Sequence, residues 1–96
     1  MAAFFVAQVT VKDGQKFQAY AAQAKVIFAE YGGQALARGK AKGTVVGEAS
    51  HHAIAVIQFP DMESLESAFD SDDYQAIVPL RDESADISIV KYEQSV

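Results

Sequence analysis

The sequence predicts an α+β fold in which a four-stranded antiparallel sheet is covered on one face by two helices. Three observations predict it. The chain has 96 residues, half of them are hydrophobic, and the hydrophobic period changes between that of a strand and that of a helix in the order βαββαβ. A chain of this length forms one core, so residues 1–96 are interpreted as a single domain.

The N-terminal third predicts a strand followed by a helix. The run "AFFVAQVTV" is apolar on both alternating faces, which is typical of a strand that is covered on both sides. Asp13 is the expected N-cap of the helix. Gly32-Gly33 is expected to end it in a left-handed conformation. The apolar stripe of this helix has i, i+3, i+4 spacing and consists of Phe17, Tyr20, Ala21, Ala24, Ile27, Phe28 and Tyr31.

The middle of the chain predicts further strands. The runs "QALARG" and "GTVVGEA" are interpreted as one interrupted strand or two short strands, with Gly39 and Gly43 at a bulge or turn. The run "HAIAVIQF" is almost wholly apolar and is the next strand. Pro60 stops this strand, and Asp61 is the expected N-cap of the second helix.

The C-terminal third completes the βαββαβ order. The second helix has an inward stripe of Met62, Leu65, Ala68 and Phe69, and Ser71 can cap a new helix. The run "DISIVKYE" alternates as the last strand. This order folds most simply as a ferredoxin-like plait. Helices cover one sheet face only, so we expect a homodimer through the open face.

Composition excludes several classes of function. Met1 to Pro60 holds six basic and three acidic residues (+3), and Asp61 to Val96 holds two basic and ten acidic residues (−8), which gives the net charge of −5. The acidic half argues against nucleic acid or an anionic membrane as a partner. The absence of cysteine excludes disulfides and a thiolate zinc site. The N-terminal apolar run is too short for a signal peptide or membrane span, so we expect a soluble cytoplasmic protein.

Several segments resemble a known family. They are "VTVKDGQKFQAYAAQA", "YGGQALARG", "VIQFPDMESLESAFDSDDYQAIVPLR" and "DISIV". Together they are similar to the domain-of-unknown-function 1330 family of the dimeric α/β-barrel superfamily. The resemblance implies a ferredoxin-like protomer and a homodimer whose sheets pack into a barrel. Superfamily relatives include cofactor-free monooxygenases, lactone isomerases, haem-dependent enzymes and stress-response proteins, so the resemblance implies no single reaction.

Arg81 is the first candidate for ligand binding. It follows Tyr74 by seven residues, so a continuous helix places both on the core face. Pro79 disfavours helical geometry at Val78 and is expected to kink the helix, which would turn Arg81 toward the rim of a cavity. Two roles stay open. Arg81 could bind a carboxylate or enolate, with Tyr74 beside it, or it could be a structural partner of Asp82, Glu83 or Glu48.

Arg38, Glu48 and His52 are the other candidate site residues. Arg38 is a second candidate cation for an anionic ligand, although a lone arginine at a strand end usually extends into solvent. Glu48 is a candidate base or an ion-pair partner. His51 and His52 are adjacent and would face opposite sides of a strand, so no metal site is expected. His52 is the candidate general base because it shares a strand face with apolar residues.

Two functions are consistent with these residues and the resemblance. The first is a cofactor-independent enzyme, monooxygenase-like or isomerase-like, acting on a small organic acid, a lactone or a phenolic compound. Arg38 and Arg81 would hold the anion, and His52 or Glu48 would accept the proton. The second is a non-catalytic ligand-binding or stress-related dimer with structural arginines. Neither requires a cofactor. The first function requires both arginines to face one cavity of roughly a few hundred cubic ångströms.

Overall fold

The computed structural model describes residues 1–95. The elements follow in the order β1 (Ala3–Val11), α1 (Gly14–Glu30), β2 (Gln34–Lys40), β3 (Ala53–Phe59), α2 (Met62–Asp70), α3 (Asp72–Ser84) and β4 (Ala85–Glu93). The strands form one antiparallel sheet in the order β2-β3-β1-β4. The α+β ferredoxin-like fold predicted from the sequence is confirmed.

The first helix begins and ends where the sequence predicts. The Asp13 side chain accepts a hydrogen bond from the backbone N–H of Lys16 and caps α1. Gly32 follows the C-cap residue Tyr31 and has a φ of 85°. Only glycine adopts this left-handed conformation without a steric penalty, so Gly32 ends the helix.

The helical region after β3 consists of two helices, because the chain turns at Ser71. Asp61 Oδ1 accepts a hydrogen bond from the backbone N–H of Ser64 at 2.7 Å and caps α2. Ser71 Oγ accepts one from the backbone N–H of Tyr74 at 3.2 Å and caps α3. Three helices rather than two therefore cover the sheet, and α3 continues through Pro79 to Ser84.

The prediction of a strand in "GTVVGEA" is wrong. Residues 41–52 form an exposed connection between β2 and β3, in which Val45 and Val46 are 100% and 88% exposed. Gly47 has a φ of 80°, which interrupts extended backbone. The irregularity expected near Gly39 instead lies between Ala35 and Ala37 of β2.

The core lies between the helices and one face of the sheet. Phe5 of β1 is at its centre, and its ring packs against Phe28 of α1 at 5.1 Å and against Phe69 of α2 at 5.2 Å between centroids. Tyr74 of α3 packs against Phe69 at 4.8 Å. These aromatic contacts join all three helices to the sheet. Within residues 1–95, no helix is long and apolar enough to cross a membrane.

The other face of the sheet is open. The residues of this open sheet face alternate along the strands with the buried ones and include Phe4, Val6, Gln8, Ile54, Val56, Gln58, Ser88, Val90 and Tyr92. Phe4 stacks on Tyr92 with ring centroids 5.2 Å apart. Ile54 and Val90 are 43% and 45% exposed. A single chain thus leaves a largely apolar surface in contact with solvent.

Candidate functional site

Arg81 lies in the last turn of α3 and forms part of the wall of a cleft between α2, α3 and β4. The cleft has a volume of about 290 Å³ and opens to solvent; it is lined by Leu65, Glu66, Phe69, Asp70, Arg81, Ile89 and Lys91. We call it the Arg81 cleft. Leu65, Phe69 and Ile89 form its apolar surface, and the more exposed charged groups Glu66, Asp70 and Lys91 lie at the rim.

Two side chains hold the guanidinium of Arg81. Its Nη1 donates a hydrogen bond to the Tyr74 hydroxyl at 3.1 Å, and its Nε donates one to Asp82 Oδ1 at 3.0 Å. The guanidinium carbon lies 5.9 Å from the centroid of the Tyr74 ring, within the range of a cation–π interaction. The Arg81 side chain is only 23% exposed. Arg81 thus pairs with a neighbouring acid and also contributes to a cleft.

Tyr74 connects Arg81 to a second tyrosine. The hydroxyl oxygens of Tyr74 and Tyr20, which lies on α1, are 2.8 Å apart, and both residues are buried. Burial raises the pKa of Tyr20, and the charge and hydrogen bond of Tyr74 raise it further. Tyr20 therefore stays neutral over the whole physiological range.

The hydrogen bonds of Arg81 keep it charged. Partial burial on its own would lower the pKa of Arg81, because the charged form loses hydration. The hydrogen bonds to Tyr74 and Asp82 act in the opposite direction, and the pKa is raised above its ordinary value. Arg81 is therefore a permanent cation at the cleft wall.

The second cation of the cleft is Lys91, which lies closer to its acidic partner than Arg81 does to Asp82. Lys91 Nζ donates a hydrogen bond to Glu66 Oε2 at 2.6 Å. Both side chains are about half exposed, so the pair contributes little to stability. With Asp70 also at the rim, the mouth of the cleft carries both signs of charge and Arg81 is its innermost cation.

The structure separates Arg38, Glu48 and His52 from this cleft. Arg38 lies on β2, at the opposite edge of the sheet from β4, and three strand spacings correspond to about 14 Å. Glu48 and His52 lie in the exposed connection 41–52. One chain therefore does not bring the two arginines to one cavity. Among residues 1–95, His51 rather than His52 has a side-chain hydrogen-bond partner, since its Nδ1 lies 3.0 Å from Thr10 Oγ1.

Sequence reasoning missed several residues at the site. Glu66, Asp70 and Lys91 line the Arg81 cleft, and Tyr20 completes the hydrogen-bonded chain behind it. The sequence did contain one signal for Lys91, because Arg81 and Lys91 are the only basic residues in the acidic segment from Asp61 to Val96. Nothing in the spacing shows which two tyrosines meet, since that depends on how α1 packs against α3.

The fold and the cleft define a small ferredoxin-like α+β protein with one arginine held at a pocket wall. The model of the family described as "Domain of unknown function (DUF1330)" matches residues 2–94, so the chain belongs to this family. A comparison with curated proteins found no match.

Solved structures share the fold at low sequence identity. A protein of unknown function from Rhodopseudomonas palustris is 13% identical with a TM-score of 0.84, over 99% of this chain and 83% of that one. SnoaB, a cofactor-independent oxygenase from Streptomyces nogalater, is 11% identical with a TM-score of 0.72, over 99% and 94%. A dimeric ferredoxin-like protein of unknown function from Thermobifida fusca is 14% identical with a TM-score of 0.66, over 98% and 92%.

Proposed function

We propose that this protein binds a compact organic molecule carrying one oxygen anion, such as a small carboxylic acid or a phenolate, in the Arg81 cleft. The observation that carries the proposal is the position of the Arg81 guanidinium, held by Tyr74 and Asp82 at the wall of a 290 Å³ cleft. A cation that is already fixed loses less side-chain entropy on binding than a mobile surface arginine does.

The free hydrogen-bonding groups of Arg81 favour an oxygen acceptor. A guanidinium has five N–H donors and no acceptor. Tyr74 and Asp82 engage two of them, which leaves about three for a ligand. Carboxylate, enolate and phenolate oxygens complement such a donor best. A ligand that is itself only a donor would find no acceptor on this cation.

The remaining walls favour a ligand with a small apolar body and a single charge. Leu65, Phe69 and Ile89 supply apolar surface, and the volume of 290 Å³ lies near the lower end of the range for small-molecule sites. Glu66 and Asp70 at the rim would repel a second negative charge. A monoanion therefore fits better than a phosphorylated or polyanionic compound.

Titration of the protein with benzoate tests this proposal. Benzamide, which has the same ring but no charge, is the control ligand. We expect benzoate to bind more tightly than benzamide and Arg81→Gln to weaken benzoate binding at least about tenfold, as loss of a charged hydrogen-bond partner does. Arg38→Gln removes the same charge at the far edge of the sheet and is the control. Equal affinity for benzoate in the two variants would contradict the proposal.

A second candidate function is cofactor-independent proton abstraction from the bound acid. Arg81 favours it, because a fixed cation at the wall stabilises the oxyanion of an enolate as it forms. The carboxylates of Glu66 and Asp70 line the same cleft and are its candidate proton acceptors. The predicted bases His52 and Glu48 lie in the connection 41–52 and do not line this cleft.

Hydrogen–deuterium exchange of pyruvate tests for this chemistry without requiring a complete reaction. In D₂O, a base that removes a methyl proton from pyruvate forms the enolate. The enolate then takes up a deuteron from the solvent, and NMR detects the loss of the methyl proton signal. We expect the protein to raise the exchange rate above that of buffer and Arg81→Gln to remove the increase. Exchange at the buffer rate would restrict the function to binding.

The open sheet face supports a homodimer. Its exposed apolar residues, such as Ile54, Val90 and Tyr92, would be covered if two sheets packed face to face. The likeness to the dimeric protein from Thermobifida fusca is consistent with this arrangement. A sheet-to-sheet dimer leaves the Arg81 cleft accessible, because the cleft is on the helical side of the sheet.

A further inference from the structure

We propose that Tyr20 is a positioning residue for Arg81, although it lies on α1 and does not line the cleft. The proposal rests on the proposed function, in which the Arg81 guanidinium meets the ligand. A continuous hydrogen-bonded chain joins the residues: the Tyr20 and Tyr74 hydroxyls are 2.8 Å apart, and Arg81 Nη1 lies 3.1 Å from the Tyr74 hydroxyl.

The chemistry of the side chains fixes the direction of the hydrogen bond between Arg81 and Tyr74. Arginine only donates hydrogen bonds, so the Tyr74 oxygen must accept from it. That leaves the Tyr74 hydroxyl one hydrogen and one lone pair, and Tyr20 is its other partner among residues 1–95. In either arrangement of the phenol hydrogens, Tyr20 sets the torsion of the Tyr74 hydroxyl and so the lone pair that faces Arg81.

Packing alone does not account for the Tyr20 hydroxyl. The Tyr20 ring contacts the rings of Phe17 and Tyr74 at 6.0 and 6.3 Å between centroids, and a phenylalanine would preserve these contacts. A hydroxyl in such surroundings costs free energy unless it is paired. Tyr20 is 5% exposed, so water competes little and the buried hydrogen bonds reinforce one another.

Of the two side chains that hold the Arg81 guanidinium, Tyr74 is buried and Asp82 is largely exposed. Asp82 accepts the hydrogen bond from Arg81 Nε. The Asp82 side chain is 61% exposed, whereas the Arg81 side chain is 23% exposed. If the Tyr74 contact weakens, the guanidinium is expected to follow Asp82 into solvent. Tyr20, through Tyr74, therefore keeps the cation at the wall of the cleft.

NMR of the arginine side chains measures this positioning directly. The chain has two arginines, Arg81 and Arg38, so two Nε–Hε signals are expected and the exposed Arg38 is an internal control. We expect Tyr20→Phe to speed solvent exchange of the Arg81 Hε several-fold and to leave Arg38 unchanged. Benzoate binding should weaken about three- to tenfold, the effect of one hydrogen bond.

Tyr31→Phe is the matched control variant. Tyr31 follows the same helix, and its hydroxyl forms no hydrogen bond among residues 1–95. We expect neither the Arg81 Hε exchange nor benzoate affinity to change in Tyr31→Phe. If Tyr20→Phe does not fold, Tyr20→Met removes the hydroxyl with a smaller, flexible apolar side chain and provides the same comparison.

The outcomes separate this inference from the proposed function. Unchanged Arg81 Hε exchange in Tyr20→Phe, or equal changes in Tyr20→Phe and Tyr31→Phe, would overturn the positioning role. A further loss of benzoate affinity when Tyr20→Phe is added to Arg81→Gln would also overturn it, because Tyr20 would then act without Arg81. Faster Arg81 exchange in Tyr20→Phe, with no benzoate binding to the unmodified protein, would support positioning and reject the ligand class.

Discussion

A buried polar chain within an aromatic core distinguishes this site at the scale of single residues. Arg81, Tyr74 and Tyr20 connect the cleft to the interior. The position of Arg81 in the last turn of α3 follows from the spacing of the sequence. Its contact with Tyr74 has the seven-residue separation that the helix period allows. The part played by Tyr20 is nonlocal, since 54 residues separate it from Tyr74.

The raised pKa of Tyr20 predicts a specific loss of stability in alkali. Unfolded tyrosine releases its proton near pH 10, whereas burial keeps Tyr20 protonated in the folded state well above that pH. Stability from this group is therefore complete below about pH 10 and falls as the pH rises beyond it, by about 1.4 kcal/mol per pH unit. Urea unfolding of the unmodified protein and Tyr20→Phe at pH 8, 10 and 11 measures the difference.

The sign of this prediction is set by which state holds the proton. The unfolded chain binds fewer protons than the folded one above pH 10, so unfolding becomes more favourable as the pH rises. The comparison with Tyr20→Phe removes the contributions that the two proteins share. Parallel stability curves for the two proteins would contradict the prediction.

At the scale of elements, local signals define most boundaries. Asp13, Asp61 and Ser71 cap helices where the sequence predicts, because a cap depends on a side chain and the backbone a few residues away. The run "GTVVGEA" has strand-like composition but forms no strand. Composition supplies a tendency, and a strand also requires a neighbour with which to exchange hydrogen bonds.

The cap at Ser71 is expected to matter for the site as well as for stability. Ser71 Oγ accepts from the backbone N–H of Tyr74 and donates to the carbonyl oxygen of Ala68 at 2.7 Å, so it connects α2 and α3. We expect Ser71→Ala to lower the free energy of unfolding by about 1 kcal/mol. Ser67→Ala, on the exposed surface of α2, is the control and should cost little or be stabilising. Equal losses in denaturant unfolding would show that the cap is unimportant.

At the scale of the whole molecule, strand order decides which candidate residues can meet. The sequence predicts the four strands and the open sheet face, but the separation of Arg38 from Arg81 follows from the order β2-β3-β1-β4. Position along the chain does not show that β2 and β4 are opposite edges. The sequence hypothesis of two arginines around one ligand fails within a single chain for that reason.

Dimerisation through the open sheet face is the prediction at this scale. A mass near 20.6 kDa, twice the chain mass of 10.3 kDa, is expected by light scattering at micromolar concentration. Val90→Asp places a charge on the open sheet face and should shift the mass toward one chain. Val26→Asp makes the same change on the exposed side of α1 and should not. A single-chain mass for the unmodified protein would contradict the dimer.

The structure of the benzoate complex tests the central claim most directly. The account predicts the carboxylate in the Arg81 cleft, with an oxygen about 2.8 Å from an Arg81 Nη atom and the ring against Leu65, Phe69 and Ile89. The Tyr74 and Tyr20 hydrogen bonds should remain in place. Benzoate bound elsewhere, for example on the open sheet face, with Arg81 still contacting only Tyr74 and Asp82, would contradict it.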